Sequence, residues 1–151
     1  MERTVLLWMI PLNLLLVAWV WIGRLLFGVG GWMMLVYLVT LVPVLLLALL
    51  VTTVLALTQP GRPRRLTRPQ AVAQLVTWAG MLLFGAVSFD FGDTEDSVGS
   101  LVMHVLGDGD LGWSVTYAAM GLGGLATVAG WTALVATLTA GRRRAAVPSE
   151  A

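Results

Sequence analysis

Four long apolar runs, over about residues 5–23, 32–57, 71–89 and 113–140, constrain this chain more than any motif it carries. At about 1.5 Å per residue, a helix of that length crosses a hydrocarbon layer of roughly 30 Å. Lipid offers no hydrogen bonds to an open backbone, so such segments must be helices. A water-soluble fold is excluded independently. Of the 151 residues, 58% are hydrophobic and 11% charged, too little polar surface to face water. The expected fold is an all-α integral membrane protein, a single domain over 1–151, with its four spans arranged as two antiparallel hairpins. The first run is too long for the apolar core of a signal peptide. It also ends in Ala18-Trp19-Val20-Trp21 rather than in small residues, so it reads as a retained helix.

The arginines orient the spans. Arg3 precedes the first, and Arg62, Arg64, Arg65 and Arg68 fill a basic loop over 58–70. Arg142, Arg143 and Arg144 open the tail over 141–151. Four crossings put these eight on one face and leave Arg24 alone on the other. That asymmetry makes the basic face cytoplasmic, with both termini inside. The same arginines are expected to anchor on anionic lipids. Trp19, Trp21, Trp32 and Trp113, with Tyr117, fall at the outer boundary, where amphipathic rings favour the headgroup layer. Trp8, Trp78 and Trp131 lie deeper and are expected to pack between helices. An all-Arg basic set in an Ala-, Val- and Gly-rich chain suggests a bacterial source, hence the inner (plasma) membrane.

The outer loop over 90–112 invites chemistry, because six of the eight acidic residues and the one histidine lie in it. Asp90, Asp93, Glu95 and Asp96 are hard oxygen donors that suit a weak surface cation site, although their spacing does not fit an EF-hand. Asp90-Phe91-Gly92 matches the DFG of protein kinases by coincidence, since no other kinase motif accompanies it. His104, near water and acids, is expected to be merely solvated. A short amphipathic helix is expected over about 97–106, capped by Ser97 or Asp96. Arg24 is expected to snorkel to lipid phosphates, with pairing to the acidic loop as the alternative.

No Asp, Glu, Lys or Arg falls inside the spans, which speaks against a proton-coupled carrier. Asn13 and Gln74 are the polar residues most costly to leave facing lipid, so they should point inward and bond across helices. Asn13 follows Pro11 by two residues and is suited to repairing the backbone there; Pro43 should bend the second span. Ala119, Gly123, Thr127 and Gly130 make a small-residue stripe for close helix packing, with Gly80, Gly85 and Ala86 as its counterpart on the third span. There is no cysteine, and no catalytic constellation, cofactor site or nucleic-acid patch. These features lead to a non-enzymatic accessory or scaffolding subunit of a larger membrane assembly, with a membrane-protein partner or further copies of itself. A small oligomeric transporter or channel, gathering cations at its outer acidic loop, is the alternative.

Overall fold

The computed structural model describes residues 2–59, 65–91 and 99–146, with side chains through Arg142. The described residues are helical, without a strand, and four stretches are long and apolar enough to cross a membrane: Glu2–Phe27, Trp32–Leu57, Arg68–Val87 and Asp110–Arg142. Expected cation ligands Asp93, Glu95 and Asp96, basic residues Arg62 and Arg64, and the cap residue Ser97 lie outside the described residues, as do the side chains of Arg143 and Arg144.

Helix α1 (Glu2–Ile22) carries an acidic residue in its first turn, where the helix dipole favours it, and runs through Pro11 without a break. A 3-10 segment, Gly23–Phe27, follows and stops at Gly28, whose φ of 72° is the left-handed conformation a Cβ disfavours. The second span is two helices, α2 (Trp32–Val39) and α3 (Leu41–Leu57). Pro43 causes the division, but the break falls upstream of it. The proline ring collides with the carbonyl four residues back, on Val39, so the chain parts at Thr40. Thr40 patches the end by donating both its N–H (2.9 Å) and its hydroxyl (2.6 Å) to the Val36 carbonyl.

Helix α4 (Arg68–Val87) begins three residues before the apolar run, because Thr67 caps it and Pro69 fits its first turn. Gln70 Oε1 accepts from the Thr67 backbone N–H at 2.9 Å, as in a capping box. The outer helix α5 (Leu101–Leu106) is shorter than expected, and Ser100 is its cap, accepting from Met103 N at 3.1 Å. Helix α6 runs from Asp110 to Ala146, well beyond its apolar run. The 30 residues from Trp113 to Arg142 span about 44 Å, the thickness of a bilayer with its headgroups.

Helix α4 is central, packing most extensively against α6 and then against α1, while α3 packs against both α1 and α6. The core between them holds Met9, Leu16, Leu49, Met81, Leu134 and Leu138. The outward surface is just as apolar: Leu7, Leu15, Val39 and Leu125 are all more than 60% exposed. Trp8 is on that surface too, 56% exposed rather than packed between helices. Close approach of α4 and α6 depends on glycine. A Cβ on Gly80 would sit 2.5 Å from Thr127 N, and one on Gly130 would sit 2.7 Å from Thr77 N. Gly85 serves a different neighbour, because its missing side chain makes room for the Trp19 ring on α1.

Candidate functional site

Two buried polar clusters organise the bundle, an outer cluster at the end opposite the basic residues and an inner one between the long helices. The outer cluster centres on Arg24, in the 3-10 segment, and Asp90, three residues beyond α4. Arg24 is 1% exposed and Asp90 fully buried, so Arg24 does not snorkel to the lipid surface. Its Nε lies 3.2 Å from Asp90 Oδ2, a charge contact whose angle falls short of a hydrogen bond. Its Nη1 donates to the Phe89 carbonyl at 3.2 Å, and its guanidinium carbon stacks 4.6 Å from the centre of the Tyr37 ring.

The other carboxylate oxygen of Asp90 does separate work. Oδ1 accepts from Met33 N and Phe91 N, both at 2.9 Å. Met33 N belongs to the first turn of α2, where Gly31 occupies the cap position and has no side chain to offer. Asp90 therefore caps α2 from across the molecule, and its charge suits the positive end of that helix. Gly31 cannot be larger, since a Cβ there would strike the Phe91 carbonyl oxygen. Trp32 N completes the seam by donating to that oxygen at 2.9 Å. Asp90 and Gly99 exchange both backbone bonds (3.0 and 3.1 Å). Of the four acids that suggested a cation site, Asp90 is thus already committed to an arginine and a helix end.

Elsewhere on this face, His104 is exposed and its Nδ1 lies 3.0 Å from the Ser100 carbonyl oxygen. The Ser100 and Thr116 hydroxyls meet at 2.9 Å, fixing α5 to α6. Trp113 stacks on Tyr117, and both rings meet Phe89 edge-on. Trp32 is half-exposed, whereas Trp19 and Trp21 donate to the Leu82 and Met34 carbonyls at 2.9 and 3.1 Å.

The inner cluster joins three helices at Asn13. Its Nδ2 donates to Thr53 Oγ1 on α3 at 3.0 Å. Its Oδ1 accepts from Trp78 Nε1 at 2.7 Å and from Gln74 Nε2 at 3.3 Å, both on α4. Asn13 therefore bridges helices instead of repairing the backbone beside Pro11. Thr53 passes its own proton to the Leu49 carbonyl at 2.7 Å, and Gln74 Oε1 is left without a hydrogen-bond partner. Asn13→Leu should strand the Trp78 and Gln74 donors and lower stability by about 1–3 kcal/mol. Thermal unfolding in mild detergent measures this, and an unchanged midpoint would show the network to be dispensable.

Within the spans, Trp131 Nε1 donates to the Ala48 carbonyl at 3.0 Å, tying α6 to α3. Thr127 spends its hydroxyl on the Gly123 carbonyl at 2.8 Å, and Ala119 lies half-buried on the same helix. At the basic end, Arg142 donates to the Leu55 carbonyl at 3.2 Å and to the Thr58 hydroxyl. It therefore closes the C-terminal end of α3, where a cation is favoured, rather than serving only as a lipid anchor.

An apolar cavity of about 330 Å³ lies between α1, α3, α4 and α6, walled by Leu45, Leu49, Met81, Phe84 and Trp131. Thr77 also lines it, with its hydroxyl already bonded to the Ala73 carbonyl at 2.9 Å. Among the described residues, no group of three or more His, Asp or Glu is placed to hold a metal ion.

Sequence reasoning picked out Asn13 and Gln74 but not Thr53 or Trp78, whose positions on α3 and α4 gave no sign of a shared partner. Pairing of Arg24 with the acidic loop stood only as the alternative to snorkelling, and Asp90 was not singled out within that loop. The available signal was that Arg24 is the one base on the outer face and Asp90 the first acid after the third span.

Protein-family models, curated proteins and solved structures give no match to this chain.

Proposed function

We propose that this protein is a non-enzymatic, structural subunit of the bacterial inner membrane, a bundle that holds or stabilises a larger membrane assembly. In this arrangement α1 with α2–α3, and α4 with α6, form two antiparallel hairpins joined along α1 and α4. Both termini are cytoplasmic, and the acidic loop faces outward.

The observation that carries the proposal is how the buried polar side chains are used. Asn13, Thr53, Gln74 and Trp78 bond to one another across three helices, and Arg24 and Asp90 close the outer end. Buried polar groups in transporters typically line a path for substrate or protons. Here they join helix to helix; the cavity of about 330 Å³ is apolar, and the pocket of about 240 Å³ that Asn13 and Thr53 reach is otherwise walled by aliphatic side chains. Such an inventory supports a rigid building block more than a catalyst or an ion path. The wide apolar faces of α3 and α6 leave ample area for neighbouring helices within the membrane.

Chemical cross-linking in native membranes, followed by purification in mild detergent, tests this role. The expected result is a stoichiometric complex, either with a different membrane protein or with further copies of this chain. Recovery of an isolated monomer from cross-linked membranes would remove the basis for a scaffolding role.

A further inference from the structure

At the basic end, the first turns of α1 and α4 flank an open pocket of about 620 Å³ lined by Glu2, Arg3, Arg65, Arg68 and Val72. Three guanidinium groups face one carboxylate there, an excess of two positive charges. Glu2 neutralises only part of this. Its Oε1 lies 3.9 Å from Arg68 Nε, and Arg68 is 91% exposed, so the pair is worth little and leaves most guanidinium donors free. Both helices begin at this pocket, so their dipoles add to the positive potential.

The surface beneath the arginines changes character within one turn. Helical periodicity places Leu7 below Arg3, and Val72 and Val76 below Arg68. All three are exposed, at 66%, 51% and 39%. A compact basic mouth therefore sits directly above an exposed apolar face of α1 and α4. A soluble anion would use only the mouth, whereas a phospholipid would use both parts.

We infer that this pocket is a binding site for one anionic phospholipid. Its phosphate lies among Arg3, Arg65 and Arg68, and its acyl chains lie along the apolar faces of α1 and α4. The guanidinium fork suits phosphate oxygens, and positive pockets between spans on the cytoplasmic side suit such headgroups. This inference rests on the membrane-spanning arrangement proposed above, although not on the scaffolding role.

The full-length protein in nanodiscs of phosphatidylglycerol mixed with phosphatidylcholine provides the test, with bound lipid read by native mass spectrometry. Two variants that each remove two arginines are compared: Arg65→Gln/Arg68→Gln in the pocket, and Arg143→Gln/Arg144→Gln at the end of α6. At about 1 kcal/mol per arginine, the pocket variant should retain phosphatidylglycerol roughly thirtyfold less well. The tail variant should bind as the parent does, and both should keep the parent's thermal midpoint.

An equal loss in both variants would mean diffuse attraction and overturn the site. So would no loss in either, or no preference for phosphatidylglycerol over phosphatidylcholine. Displacement of the lipid by inorganic phosphate alone would assign the pocket to a soluble anion instead. Alkaline carbonate extraction of cell membranes separates the underlying premise: release of the protein would defeat the membrane-spanning arrangement itself.

Discussion

Asp90→Ala should cost about 3–5 kcal/mol of stability, because it leaves the Arg24 guanidinium buried without a counter-charge. Desolvation makes the loss large. Arg24 is 1% exposed, so water cannot take over from the missing carboxylate. The same change removes the acceptor for Met33 N and uncaps α2. Arg24→Ala should be milder, since the Asp90 carboxylate keeps its bonds from Met33 and Phe91. The double replacement Arg24→Met/Asp90→Asn distinguishes charge from shape. It removes both charges together, while Asn retains an oxygen for the helix cap, so it should recover most of the loss. Thermal unfolding in mild detergent provides the comparison. Strictly additive losses would mean that the two residues act independently, contrary to the contact between them.

Gly80→Leu should be comparably damaging for a steric reason. At Gly80 even a single carbon lies 2.5 Å from Thr127 N and 2.7 Å from the Gly123 carbonyl oxygen. At Gly123 the corresponding neighbours are Phe84 N at 2.8 Å and the Gly80 carbonyl oxygen at 3.0 Å. These are backbone atoms, which cannot turn aside as a side chain would, so α4 and α6 must move apart. Overpacking commonly costs about 1–3 kcal/mol, and separation of the most extensive helix pair should place this case at or above the top of that range. Gly121→Leu is the matched control, since nothing lies within 4 Å of a Cβ there. Equal loss from Gly80→Leu and Gly121→Leu would mean that close approach of α4 and α6 at Gly80 is not what the substitution disturbs, since leucine favours a helix more than glycine does.

The sequence made the long helices plain because apolar length alone demands them. Their ends were less legible, because capping depends on a few polar atoms outside the apolar runs. Thr67 with Gln70 starts α4 early, and α6 begins at Asp110, whose acidic side chain suits the positive end of the helix. The arginines after Ala140 continue α6, being good helix formers at the end where a positive charge is welcome. Small-residue spacing revealed Gly123 and Gly130, since a stripe on one helix face repeats at short range. It could not assign Gly85, whose partner Trp19 lies on α1. Pairing of Arg24 with the acidic loop was legible as an alternative, but its partner within that loop was hidden for the same reason on a larger scale. Charge counting placed Arg24 on the outer face, but only the folded chain brings it beside Asp90, 66 residues away.

The break at Thr40 has a mechanical consequence. Helix α2 is held at its outer end by Asp90, and α3 is held from within by Asn13 and at its basic end by Arg142. Because no continuous helix joins these attachments, a tilt of the outer piece need not be transmitted as leverage to the inner one. The two halves of this stretch can therefore yield separately, so a displacement imposed at one end is taken up at a single residue.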